Sequence, residues 1–201
     1  MNRHLAVRSV VVLLIALLTI PVAARGKAPS TSKGKYTDWG GRIDSIEIVR
    51  GFDFSDYGSV QVSGFGTDGV ERPPKGENTY EPVRKVLNNV SAPVVEGLKN
   101  ELPGKKVSRG KGGKGVIVIR GKVTVMDPGS RAKRYWGGFG AGAARTAISG
   151  EAVDSQGRVL FRFKQERRSG VGVGGGGYEA LLNRNLRAIG EDVAYILKQF
   201  K

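Results

Sequence analysis

The sequence predicts an α+β fold, a mostly antiparallel sheet with two helices packed on one face. Three observations carry that prediction. Over residues 116–126, Ile117, Ile119, Val123 and Val125 fall on one face and Arg120, Lys122 and Thr124 on the other, the two-residue period of a strand. Residues 143–166 hold two further alternating stretches around Asp154-Ser-Gln-Gly157, which reads as a tight hairpin turn. Leu182, Leu186, Ile189, Val193, Ile196 and Phe200 recur at four- and three-residue spacings, the stripe of an amphipathic helix.

The chain opens on an address. Arg3, His4 and Arg8 precede an apolar run over residues 10–20, broken by Pro21. Val22-Ala23-Ala24 then places small residues where a signal peptidase needs them, so residues 1–24 read as a secretory signal cleaved after Ala24. The run is too short for a spanning helix, which needs about 20 apolar residues. Residues 25–41 are polar and aperiodic and read as a flexible leader, with Tyr36 and Trp39 able to pack onto the domain that fills residues 42–201.

Within that domain, Ile43, Ile46 and Ile48 begin a strand, and residues 58–65 alternate around Val60 and Val62 as a second. Residues 66–78 carry Thr-Asp-Gly and a Pro-Pro pair and form a loop. Val83, Leu87, Val90, Val94 and Leu98 make one apolar face over a helix at 79–102. Pro93 either kinks it or sits in the first turn of a second helix capped by Ser91. In the strand at 116–126, Ile117, Ile119, Val123 and Val125 share a face. Val159, Phe161 and Phe163 point inward from the strand at 158–166. A helix over 178–200 closes the order β-β-α-β-β-β-α.

Composition narrows the chemistry. Of the 201 residues, 33 are Lys or Arg against 18 Asp or Glu, with one His and no Cys. Cleavage after Ala24 removes the one His and takes the formal charge from +15 to +13. The remaining chain then lacks Ser–His and Cys–His nucleophiles, disulfides and thiolate zinc sites. A non-enzymatic protein without a cofactor or metal is the expectation. Asp53 with Asp56, and Asp44 with Glu47, are the carboxylates near strand ends, but their spacing does not make them face one substrate. Gly138-Phe-Gly140-Ala-Gly142-Ala143 fits a dinucleotide pattern without its strand-then-helix context, and residues 170–177 lack the Lys-Ser/Thr of a phosphate loop.

The charge is concentrated. Between residues 104 and 134, Lys105, Lys106, Arg109, Lys111, Lys114, Arg120, Lys122, Arg131, Lys133 and Arg134 face only Asp127 in sequence, and Tyr135, Trp136 and Phe139 follow. Two readings stand. One is a solvated basic face with its aromatics in the core. The other is a polyanion surface for anionic lipid, lipopolysaccharide, polysaccharide or nucleic acid, formed by Lys105, Lys106, Arg109, Lys111, Lys114, Arg131, Lys133, Arg134 and Trp136. A secretory signal argues against chromosomal DNA. A third possibility is self-association through the stripe at 182–200 or the strand edges.

The stretch Pro128-Gly-Ser-Arg-Ala-Lys-Arg-Tyr-Trp-Gly-Gly-Phe-Gly-Ala-Gly142, with Val153-Asp-Ser-Gln-Gly-Arg-Val-Leu160 after it and Gly121-Lys-Val-Thr-Val before it, resembles the bacterial domain-of-unknown-function 4410 family. The resemblance is most specific over residues 121–160. It implies an exported envelope protein, periplasmic or secreted, without established activity or catalytic residues, whose partner is an envelope protein or a second copy. Many members are lipoproteins; this chain has no Cys to carry a lipid.

Overall fold

A computed structural model describes residues 28–130, 142–169 and 177–201. The signal segment with its cleavage position at Ala24, the Gly-Phe-Gly run and most of the Gly-rich stretch before the last helix lie outside the described residues. Seven strands form one mixed sheet, α+β as expected. They are β1 (Gly34–Trp39), β2 (Ile43–Ile48), β3 (Ser59–Gly66), β4 (Lys106–Arg109), β5 (Val116–Asp127), β6 (Ala144–Val153) and β7 (Val159–Ser169). Helices α1 (Tyr80–Leu87), α2 (Ser91–Glu101) and α3 (Tyr178–Lys198) cover one face, and a 3-10 turn spans Phe54–Asp56. The strand order is β1-β2-β7-β6-β5-β3-β4. Most pairs are antiparallel, but β3 runs parallel to both neighbours, β4 and β5.

Part of the stretch expected as a flexible leader over residues 25–41 is ordered in the sheet. Residues 34–39 form the edge strand β1, paired antiparallel with β2. Gly40 and Gly41 turn the hairpin at φ 64° and 65°, a conformation that favours glycine. Trp39 is buried, its Nε1 donates to the Ser30 carbonyl at 2.8 Å, and its ring meets Tyr195 edge-on at 5.9 Å.

The helical stretch at 79–102 is two helices. The break falls at residues 88–90, ahead of Pro93, which lies buried in the first turn of α2 where its missing N–H leaves no bond unmade. Ser91 is the first residue of α2 rather than its cap, and its hydroxyl donates to the Ser63 carbonyl at 3.1 Å. β4 was not expected. Only its Val107 is buried, and charge surrounds it.

Two bulges correct the facing of single residues. A register shift between Val123 and Val125 turns Met126 rather than Val125 into the core. A second shift, at Ala152/Val153, puts Leu160 in the core and leaves Val159 against Val116, Val118 and Val153 on the opposite face. The loop between β4 and β5 folds back toward these valines: a Cβ on Gly113 would lie 3.4 Å from Val116 Cγ2.

The main core lies between sheet and helices. All six residues of the stripe from Leu182 to Phe200 are at most 3% exposed. The stripe is therefore covered by the chain's own sheet and by α2, which removes it as a surface for self-association. Phe200 stacks on Phe52 at 4.2 Å and on Phe161 at 6.2 Å, fixing the C-terminus beneath β7. Burying each such side chain stabilises by about 1.5–3 kcal/mol. Two polar ties lock α3 to the sheet. Asn185 accepts from Ser169 and donates to the Ala144 carbonyl, and the buried Asp192 accepts from Arg42, Gln165 and Arg167. No helix among the described residues is long and apolar enough to cross a membrane.

Candidate functional site

Among the described residues the helices lie on one side of the sheet and leave its other face open, and alternation along each strand sends polar side chains there. Register builds them into rows. In one row Lys35, Glu47, Arg162, Glu151 and Arg120 stand opposite one another across β1, β2, β7, β6 and β5. They pair in sequence: Lys35 Nζ lies 3.9 Å from Glu47, Arg162 Nη1 3.1 Å from Glu47, Arg162 Nε 3.5 Å from Glu151 and Arg120 Nη2 2.8 Å from Glu151. The parallel row reads Thr37, Ser45, Lys164, Ser149 and Lys122. Lys122 and Lys164 are exposed there and make no ion pair among the described residues. An open cleft of about 480 Å³ runs between the rows, lined by Ser63, Arg120, Lys122, Ser149, Glu151 and Arg162.

The sequence-predicted cations separate into three groups. Lys105 turns inward: its Nζ donates to the Phe54 carbonyl at 3.1 Å and the Tyr57 carbonyl at 2.6 Å and lies 4.7 Å from the centre of the Phe54 ring. It ties β4 to the 3-10 turn. Lys106, Arg109, Lys111 and Lys114 are exposed on β4 and the loop after it. Arg109 donates to Asn89 Oδ1 beside a cleft of about 330 Å³ that Lys111 also lines. Lys111 and Arg120 line another cleft, of about 430 Å³, above Asp154. Arg131, Lys133, Arg134 and Trp136 lie outside the described residues.

Three of the four carboxylates weighed as acid/base pairs, Asp53, Asp44 and Glu47, have structural partners. Asp53 Oδ1 accepts from the Ser55 N–H at 2.7 Å, and hydrogen bonding by the Ser55 side chain, then by its backbone, lowers the Asp53 carboxyl below its ordinary value. Asp44 accepts from the Glu166 N–H, and Glu47 belongs to the charge row. No group of three potential metal ligands occurs among the described residues. A cleft of about 700 Å³ lies at the far end of β5, where Glu71, Glu77, Asp127, Arg72 and Arg145 mix both signs of charge. Arg145 is already bound to Glu166 at 3.0 Å, which raises its pKa.

Sequence reasoning missed Ser149, Arg162 and Lys164 as surface partners of Arg120 and Lys122. Their alternation was legible, but the register that aligns three strands was not.

Among solved structures, the chain is similar to PelC in a dodecamer from Paraburkholderia phytofirmans, at 10% identity and a TM-score of 0.42, over 74% of this chain and 95% of that one. It is similar to an uncharacterized protein of known crystal structure at 12% identity and a TM-score of 0.41, over 72% and 95%. No curated protein matches. A family described as a domain of unknown function, DUF4410, matches residues 59–173, which include β3 to β7 and both α1 and α2. That match takes in more than half of the sequence, and the chain belongs to the DUF4410 family.

Proposed function

We propose that this protein is an exported component of a bacterial envelope that acts by binding or assembly rather than catalysis. The observation that carries binding is the charged face of the sheet, on which no helix lies among the described residues, while the other face holds the core. Export is supported by the basic start, the apolar run and Val22-Ala23-Ala24. The absence of Cys, and of His beyond His4, favours binding over nucleophilic chemistry. Fractionation of cells making the tagged protein, with N-terminal sequencing, tests export: a periplasmic or secreted form beginning at Arg25 is expected, and an uncleaved cytoplasmic form overturns it. Turnover in a broad hydrolase screen that survives stringent purification overturns the non-enzymatic reading. Affinity capture from the native envelope asks which protein, or which second copy, it binds.

A second reading makes the ligand a polyanion, favoured by the exposed Lys106, Arg109, Lys111 and Lys114. Export favours lipopolysaccharide, anionic lipid or polysaccharide over chromosomal DNA. Such binding weakens steeply with salt, because counterion release drives it. Titration into lipopolysaccharide at two salt concentrations is the measure, and no binding at low salt refutes it.

A further inference from the structure

We infer that Lys122, Ser149 and Lys164 form a seat for a single phosphoryl group on the open face of the sheet. The inference rests on the polyanion reading and gives it a site and a ligand chemistry. The two rows described above share one frame. In each, a cation on β5 and a cation on β7 flank a β6 residue: Arg120, Glu151 and Arg162 in one, Lys122, Ser149 and Lys164 in the other. Neighbouring strands lie about 4.8 Å apart, so the flanking cations stand about 10 Å apart at their Cα atoms. The first row shows what that frame accepts. The Glu151 carboxylate fills it and is held from both sides, at 2.8 Å by Arg120 and 3.5 Å by Arg162.

The second row has the same frame with a hydroxyl in place of the acid. Lys122 and Lys164 are exposed and without an ion pair among the described residues, and Ser149 between them is half-buried. The other groups around them do not neutralise the pair: Ser45 stands opposite Lys164 and Gly66 opposite Lys122. The nearest outward carboxylates on β6 and β7 are engaged elsewhere, Glu151 by Arg120 and Arg162, and Glu166 by Arg145 and Arg168. An external oxyanion takes the place Glu151 occupies one row away. Two flexible ammonium groups and a hydroxyl suit a tetrahedral phosphoryl group, since Lys binds as a point charge with rotatable donors rather than as a planar fork.

The test uses inorganic phosphate as the probe, read by NMR shifts at Ser149 in the purified protein at low salt. A second arm uses phosphatidylcholine vesicles with and without phosphatidic acid, which separates a lipid headgroup from a free phosphate. Saturable shifts at Ser149 are expected, and Lys122→Ala with Lys164→Ala weakens phosphate binding about ten-fold or more, the loss of two charge-assisted hydrogen bonds. Lys75→Ala with Lys99→Ala removes the same charge at exposed positions outside both basic sites and leaves phosphate binding unchanged. Ser149→Glu places an acid in the frame as Glu151 does, and abolishes phosphate binding without lowering thermal stability. No shift at Ser149, or equal losses in the two double-lysine variants, overturns the site. Lipopolysaccharide binding that persists in the Lys122/Lys164 variant alongside such a result leaves the broader polyanion reading standing, so the two fail separately.

Discussion

Gly97 of α2 and Gly190 of α3 meet where the helices cross: the Gly97 Cα lies 3.2 Å from the position a Cβ on Gly190 would take. A Cβ on Gly97 would fall 2.0 Å from the Arg187 carbonyl oxygen, and one on Gly190 2.3 Å from that of Val94. Both obstacles are backbone, which a side-chain rotation cannot move. Close contact here lets α3 reach the sheet while still packing on α2.

Gly97→Ala and Gly190→Ala are therefore expected to destabilise, although alanine favours a helix over glycine by about 1 kcal/mol. Overpacking costs about 1–3 kcal/mol and more against rigid backbone, so a net loss of about 1–2 kcal/mol is expected. Urea unfolding measures it. Gly51→Ala, where nothing lies within 4 Å of the added carbon, serves as the control and stays near the parent value. A gain in stability for either helix variant contradicts the crossing.

Asp192 makes the second tie between α3 and the sheet. Its carboxylate is 1% exposed, with Arg42 Nε at 2.8 Å, Gln165 Nε2 at 2.8 Å and Arg167 Nε at 2.6 Å. The hydrogen bonds from Arg167 to Asp192 are the main reason the pKa of that guanidinium is raised. Asp192→Asn leaves two half-buried guanidinium groups without a counter-charge, and a loss of about 3 kcal/mol is expected. Removing the guanidinium as well, in Asp192→Asn with Arg167→Met, recovers part of it. A double-mutant cycle with no coupling between positions 167 and 192 refutes the tie.

What could be read from the sequence follows from how local each signal is. The 182–200 stripe, the strand β5 and the Asp154–Gly157 turn are signals carried by neighbouring residues, and all three elements stand in the structure, with the bulge at Val125 breaking the expected facing within β5. β4 has four residues with one buried side chain, and it pairs with β3, across both helices α1 and α2, so neither length nor pattern marks it. β1 is polar because it is an edge, which made it read as leader. The cations of residues 104–134 read as one cluster because they are near in sequence. Folding sends Lys105 to the core side, Lys106 and Arg109 to the sheet edge, and Arg120 and Lys122 to the open face. Ser149 and Lys164 join them only through register, which depends on all three strands together.

That division of the cluster makes Lys105 and Lys111 behave differently. Lys105→Met keeps the aliphatic stem near Phe54 but takes the ammonium donor from the Phe54 and Tyr57 carbonyls, of which the Phe54 one still accepts from the Tyr57 N–H. A stability loss of about 1–2 kcal/mol is expected, with the salt dependence of polyanion binding unchanged. Lys111→Met is exposed, so stability holds, while the slope of log affinity against log salt falls by about 1 where it contacts the polymer. Calorimetry and salt titration of the two variants separate these roles. Equal effects on the slope place Lys105 on the ligand surface after all.

Asp154 gives the acid limb of stability a specific origin. It is 4% exposed at the start of the β6–β7 turn. Burial pushes its carboxyl up, but Arg158 Nε at 2.6 Å, with the Arg158 and Gln156 N–H groups each at 2.9 Å, outweighs burial and holds it below the ordinary value of 3.8. A carboxyl depressed in the folded state binds its proton more readily when unfolded. Its contribution is therefore complete above the unfolded pKa and fades as pH falls through the folded value. Asp154→Asn is expected to be less stable than the parent at neutral pH, with the gap closing below the unfolded pKa of about 4. Urea midpoints across an acid series measure the gap. A difference that stays constant down to the lowest pH assigns the loss to the turn's hydrogen bonds rather than to the carboxylate's charge.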